Sequence, residues 1–302
     1  MSLTAHQLSR RGLFLNASEA AAALALSPWL SRADFAMGKI ALIRGEEIPH
    51  DVNEDAVALG HAVEPSLIRW ACEQIGVERS QFRANQSRVA ADGIFACTFD
   101  ALSFTGDVAI EAKSHLIAFQ TNEEYGDEGT DEIPIQYLIQ VSIQFHCVPS
   151  LARVYVPVWF RAGRKLYMVA REQAEATLEW ALPELRQVWN CILAGVIPEG
   201  DTPSLTVLKQ LRREERAVDV DPIYYASARE WKAVMDATNA EAKAAKKCYD
   251  YAVAVMVNAM GSANRGVCPE GELTIKTITR KAYSVEASEY KKIELKPRKE
   301  SE

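Results

Sequence analysis

The chain has 302 residues, 48% hydrophobic and 25% charged, with 15 Gly and 12 Pro, a globular composition that excludes collagen-like, coiled-coil and disordered architectures. No apolar run approaches the roughly 18 residues of a membrane span, and a net charge of −7 argues against coating nucleic acid by bulk charge while allowing a local basic groove. The six cysteines (Cys72, Cys97, Cys147, Cys191, Cys248, Cys268) stand singly with no C-x-x-C pair, which disfavours zinc ribbons, iron–sulfur ligation and a disulfide framework; reduced thiols in a cytoplasmic protein are expected.

In chain order, Ser9-Arg10-Arg11-Gly12-Leu13-Phe14-Leu15 followed by alanines imitates a twin-arginine export signal. Asn16 and Glu19, however, have the spacing of a capping box opening a helix over 16–26, which Pro28 stops, and a charge at that point interrupts an export segment. Residues 54–75 form a longer helical pattern with Val57, Val63, Leu67, Ile68 and Ala71 on one face; it carries Glu64 and ends at Gly76. Residues 86–104 and 107–113 read as β-strands joined by a turn at Gly106-Asp107. The acidic, glycine-containing stretch 121–132 is expected to be a mobile loop, and a helix follows over 134–146. A hairpin over 152–160 and 165–170, turning at Arg161-Ala162-Gly163-Arg164, and a helix over 172–194 complete an α/β core. Gly200-Asp201-Thr202-Pro203 marks the boundary between domains 1–200 and 201–302. Beyond it the sequence predicts one long helix over 226–260, with an interruption allowed, and a terminal hairpin over 272–295. That hairpin has a basic character from Lys291, Lys292, Lys296, Arg298 and Lys299, which on an edge strand also guards against aggregation.

The chemistry concentrates in Thr98-Phe99-Asp100 and Val108-Ala109-Ile110-Glu111-Ala112-Lys113. Side chains alternate along a strand, so Glu111 and Lys113 share a face about 7 Å apart while Ile110 and Ala112 take the other. With Asp100 on the neighbouring strand, two carboxylates form an oxygen-rich pocket of the kind hard divalent ions prefer, and a lysine beside it suits phosphodiester hydrolysis. A salt bridge across a strand accounts for the same three residues without any activity. Asp107, in the turn, is a second choice of ligand; Asp92, paired with Gly93, stands too far before Glu111 for a short hairpin. Gln136, Gln140 and Gln144 recur every fourth residue on a helix that also bears Ile135, Leu138, Ile139, Val141, Ile143 and Phe145, and amides in so apolar a helix need partners. His61, His115 and His146 lack the H-x-x-x-H spacing of zinc hydrolases, and neither a G-x-S-x-G elbow nor a Walker loop is present.

Four parts in order resemble the phage-type exonucleases of the YqaJ and lambda-exonuclease group, within the PD-(D/E)XK nuclease superfamily, over roughly residues 8 to 170. They are Arg11 followed by Ala17-Ser18-Glu19; Gly60 to Glu64; Asp100, Glu111 and Lys113; and Tyr137 with Gln140 and Gln144. The sequence departs from the family at Ala101, where a glycine commonly follows the aspartate. The resemblance implies an α/β fold, a restriction-endonuclease-like core with a central mixed β-sheet flanked by helices, here with a C-terminal helical and β-hairpin extension. It further implies that Asp100, Glu111 and the carbonyl of Ala112 ligate Mg2+ or Mn2+, that Glu64 serves a second ion, and that Lys113 acts on the attacking water. By the same resemblance Gln140 contacts the terminal or scissile phosphate, Arg11 and Ser18 hold a 5′-phosphate, Thr98 lies near that pocket, and Tyr137 belongs to the DNA-facing helix.

The implied activity is a metal-dependent exonuclease digesting linear double-stranded DNA, 5′ to 3′, to leave 3′ tails for a single-strand annealing recombinase in phage-type recombination. The implied setting is the bacterial cytoplasm, with a phage or prophage gene, a homo-oligomeric ring of three subunits and no membrane. Arg10, Arg11, Lys39, Arg44 and Lys113 are candidates for the basic groove. The alternatives are a structure-selective endonuclease and a non-catalytic protein that binds DNA ends or recruits partners; residues 201–302 serve oligomerisation, DNA or partner contact, or simply cover the core.

Overall fold

The computed structural model describes residues 11–46, 54–116, 124–198, 202–210, 214–237, 242–279 and 289–297. The chain divides into two compact units, one holding the described residues of 11–45 and 54–196, the other residue 46 and those from 197 onward. Among the described residues no helix is long and apolar enough to cross a membrane.

In the first unit a turn at Ala17–Glu19 leads from strand β1 (Leu15–Asn16) into the short helix α1 (Ala20–Ala23), and α2 (Arg32–Ile43) and α3 (Glu54–Gln74) follow. The expected cap is formed from its far end: the Asn16 amide donates to Glu19 Oε2 at 3.1 Å. Strands β2 (Phe82–Val89), β3 (Phe95–Ser103), β4 (Val108–Ile110) and β5 (Lys113–Ser114) come next. Helix α4 (Ile135–Cys147), the hairpin β6 (Arg153–Phe160) and β7 (Gly163–Ala170), and α5 (Arg171–Leu193) complete the unit. The seven strands make one mixed sheet in the order β1-β3-β4-β6-β5, with β2 on β3 and β7 on β6, flanked by helices as the resemblance implies.

One interruption in this sheet creates the site. Strand β6 pairs in parallel with β4 through Ile110↔Tyr155 and then with β5 through Lys113↔Val158, a single register broken only at residues 111 and 112. Pro157 of β6 falls opposite that break, and a proline has no N–H to give a neighbouring strand. Because side chains alternate, Ile110 joins Ala101 and Phe82 in a core cluster with Ile68, Ala71 and Cys72 of α3. Glu111 is left on the other face, toward α4. The end of α4 is held by Arg171, whose guanidinium donates to the carbonyls of Val148, Pro149 and Leu151.

The second unit holds α6 (Leu205–Gln210), β8 (Glu214–Asp219), α7 (Pro222–Ala237), α8 (Ala242–Met260), β9 (Ala263–Cys268), β10 (Gly271–Thr279) and β11 (Glu289–Pro297). The expected terminal hairpin is present as β10 and β11 in nine-residue register, but it extends a four-stranded sheet, β11-β10-β9-β8, whose other two strands lack a clean alternation in sequence. The helical stretch expected over 226–260, with an interruption allowed, is two helices, α7 and α8, packed together.

Two further expectations are corrected. The described part of the acidic stretch, residues 124–132, is pinned to β7 rather than loose: Gly129 donates to Leu166 O at 2.9 Å, Met168 to Thr130 O at 3.0 Å, and Tyr167 Oη to Gly126 O at 3.2 Å. The β6–β7 turn is tighter than the sequence suggests, since Phe160 and Gly163 already pair.

Candidate active site

Asp100 on β3 lies beside Glu111 because Ala101 pairs with Ile110, which places the preceding and following residues side by side. The Asp100 carboxylate closes the sheet interruption from the β3 side: its Oδ2 accepts the Ala112 N–H at 2.8 Å. The neighbouring Glu111 N–H still reaches Tyr155 O at 2.9 Å.

Glu111 is 4% exposed and is approached by three donors. Lys113 Nζ stands 2.9 Å from Oε1, Gln140 Nε2 2.6 Å from the same oxygen, and Gln144 Nε2 2.6 Å from Oε2. The Gln140 Oε1 accepts from Lys113 at 2.9 Å, so both ends of that amide are engaged by the cluster. Lys113 also lies 4.8 Å from the centre of the Tyr137 ring. Gln140 and Gln144 are one helical turn apart on α4, so the glutamine stripe does have buried partners. Gln144 is fully buried, and among the described residues its Oε1 has no hydrogen-bond partner.

Charge at the cluster is unbalanced. Burial, and after it the negative charge of Glu111, holds the Asp100 carboxyl well above its ordinary range; Lys113 opposes this and Glu64 of α3 adds to it. Burial disfavours the Lys113 ammonium, but Glu111 and Asp100 outweigh burial and keep its pKa above the usual lysine value. Two carboxylates thus act on one ammonium, and a third, Glu64, acts on Asp100. Among the described residues no three His, Cys, Asp or Glu side chains are gathered into a ready-made metal cage. The oxygen donors and the excess negative charge nonetheless suit a hard divalent cation.

Asp100, Glu111, Lys113, Gln140 and Tyr137 are therefore brought together, and Glu64 reaches them through its charge. Thr98 lies two residues before Asp100 with its hydroxyl 3.0 Å from that of Ser87 on β2. Ser18 is exposed in the turn before α1; Arg11 opens a short turn at Arg11–Leu13, and its side chain, like all of Arg10, lies outside the described residues. Lys39 is not part of a DNA groove: it is 3% exposed, and its Nζ sits 2.7 Å from Glu19 Oε2 and 2.9 Å from Phe14 O. Arg44 is exposed.

The alternative aspartates are elsewhere. Asp92 accepts from His146 at 3.0 Å and Arg186 at 2.8 Å, tying the β2–β3 turn to α4 and α5 and giving His146 the structural role its position suggests. Asp107 takes the hydroxyls of Ser103 and Thr105 within its own turn. Sequence reasoning missed Trp29, whose ring is 63% exposed and 6.2 Å from Tyr137. A lone tryptophan in a short loop carries no periodicity that would have revealed it.

An alkaline exonuclease from Laribacter hongkongensis superposes on 63% of this chain and 93% of its own, with a TM-score of 0.49 and 15% identity. No curated protein sequence matches the chain. The model of the YqaJ-like viral recombinase domain matches residues 6–150, a span that contains Asp100, Glu111, Lys113 and the helix bearing Gln140 and Gln144.

Proposed function

We propose that the chain is a divalent-metal-dependent exonuclease that hydrolyses linear double-stranded DNA from the 5′ end and leaves a 3′ single-stranded tail for an annealing recombinase. The observation that carries this reading is the convergence of Asp100, Glu111 and Lys113 at the broken strand, with Gln140 bridging two of them. Asp100, Glu111, the Ala112 carbonyl and Glu64 would hold the metal, Mg2+ or Mn2+, which supplies charge neutralisation at the phosphate and acidifies a bound water.

The side chains have separate roles in this reading. Lys113 presents a cation beside two carboxylates, where it orients the attacking water and offsets charge on the phosphate as the P–O bond breaks. Gln140 and Gln144 donate to the Glu111 carboxylate, which supports positioning roles for both, and Gln140, on the more open side, keeps the phosphate contact expected of it. Tyr137 supplies an aromatic face under Lys113. Ser18 and Arg11 are the residues to test for 5′-phosphate recognition.

The test is incubation of the full chain with 5′-phosphorylated linear duplex and with closed circular duplex in Mg2+, beside Lys113→Ala. Loss of linear DNA alone, abolished by the substitution, is the expected result. Cutting of the circle assigns an endonuclease, and stability of both substrates assigns a DNA-end binding protein. A 5′- against 3′-labelled substrate reads the polarity.

A further inference from the structure

A second polar feature lies along β2, outside the acidic cluster. A cavity of about 250 Å³ opens there, lined among others by Arg83, Gln86 and Arg88 of β2, by Leu102 and Phe104 at the end of β3, and by Ser150 beyond α4. The Arg83 guanidinium lies 4.7 Å from the centre of the Phe104 ring, and Phe104 is 59% exposed. Arg88 donates to the carbonyl of the adjacent Ser87 at 2.8 Å. Among the described residues neither arginine has a carboxylate at ion-pair distance, although the chain carries a net charge of −7.

Guanidinium groups present a planar fork that matches a phosphate, and an exposed aromatic ring stacks on the face of an unpaired base. Both elements line the same recess. In the β-register Arg83 stands opposite Leu102, two residues beyond Asp100 on β3, so the recess begins about 7 Å along that strand from the acidic cluster. A duplex keeps its bases stacked and offers Phe104 nothing to stack on, whereas a single strand offers both phosphate and base.

We propose that this recess binds single-stranded DNA, with a phosphate held by Arg83 and Arg88 and a base stacked on the Arg83–Phe104 pair. The inference rests on the nuclease reading above, in which a single strand is continually exposed next to the cleavage site. It assigns the recess to that strand.

The test is fluorescence anisotropy in EDTA with two labelled oligonucleotides, a duplex bearing a 3′ single-stranded tail and the matching blunt duplex, on the wild type, Arg83→Ala/Arg88→Ala and Phe104→Leu. The expected result is about tenfold weaker binding of the tailed DNA by each variant, with blunt-duplex binding unchanged. The salt dependence of tailed-DNA binding should also become shallower by about 0.7 for each lost phosphate contact in the arginine variant. Cleavage of the blunt duplex in Mg2+ should continue, since these residues stand apart from the acidic cluster. Equal losses on both DNAs overturn the single-strand assignment, and wild-type affinity in both variants overturns the site. A wild-type chain that binds neither DNA defeats the nuclease reading itself, and this inference with it.

Discussion

Replacing Lys113 with methionine removes the cation that pairs with Glu111 and opposes the raised pKa of Asp100, while keeping most of the apolar stem. The side chain is only 15% exposed, so solvent restores little of what is lost. Breaking a buried ion pair from one side typically costs about 3–5 kcal/mol, because a charge stays behind without its partner. Glu111 retains two amide donors at 2.6 Å, which places the expected cost at the low end, about 3 kcal/mol at about pH 8. The pH dependence separates this account from simple loss of packing. Asp100 already has a folded pKa above its ordinary 3.8, so it contributes stability that is present at low pH and lost as pH rises through the folded value. Lys113 is the charge that opposes this shift, so the variant moves the Asp100 carboxyl further up. The penalty should therefore shrink as pH falls and the carboxyl takes up a proton. Urea unfolding in EDTA, read by hydrogen exchange of peptides spanning 95–116, measures this in the unit concerned. A penalty below about 0.5 kcal/mol, or one that does not change with pH, would refute the reasoning.

Glu64→Gln should act in two directions: without Mg2+ it should raise the melting temperature at about pH 8, by removing a charge that disfavours ionised Asp100, and with Mg2+ it should reduce both DNA hydrolysis and the metal-induced rise in melting temperature. Burial raises the Asp92 carboxyl, but the hydrogen bonds from His146 and Arg186 overcome it and bring its pKa down to about 2. The stability this gives is present above the ordinary carboxylate value and lost as pH falls toward the folded one, so Asp92→Asn should lower the melting temperature at neutral pH and converge with the wild type below about pH 3. Lys39→Met should cost about 3–5 kcal/mol in urea unfolding by stranding Glu19, with much of this recovered in the double variant carrying Glu19→Gln. In the second unit, Gly266→Ala places a methyl 2.5 Å from Val220 Cγ1 and 2.9 Å from Met260 Sδ, both on buried side chains, and should destabilise that unit by about 1–3 kcal/mol in thermal unfolding.

The acidic cluster was legible because its residues are local in sequence and ordered by strand alternation. Glu111 and Lys113 share a face by spacing alone, Gly106-Asp107 marks the turn that folds β4 back on β3, and the stripe of Gln140 and Gln144 follows from the helical repeat. The residues that complete the arrangement act across long separations and leave no periodic trace. Pro157 carries no sequence signal that it faces Ala112, and nothing near Lys39 shows that it meets Glu19 twenty positions earlier. Lys39 was misread because an isolated lysine looks solvated until a carboxylate and a carbonyl converge on it. The second unit was read least well for a related reason. Glu214–Asp219 holds four charged residues in six and Ala263–Cys268 contains a glycine, so neither shows the apolar alternation of a half-buried strand; both are strands because parallel partners in one sheet hold them.

Gln144 shows most directly that the cluster is more than a cross-strand salt bridge. A buried carbonyl oxygen without a partner costs about 1–3 kcal/mol, and leucine would fill that helical position without it. Its Nε2 instead donates to Glu111 Oε2 at 2.6 Å, while Oε1 has no partner among the described residues. On the more open side, Lys113 and Gln140 share the other oxygen of the same carboxylate. A carboxylate that needed only to be neutralised would be satisfied by the lysine. Holding it in one orientation, from the buried side, at a cost to local stability, is what a carboxylate needs when its free lone pairs must meet an incoming group at a fixed position. The fully buried Gln144 therefore sets the direction of Glu111, and under the nuclease reading proposed above the two half-buried donors, Lys113 and Gln140, are the ones that would exchange that contact for water or phosphate.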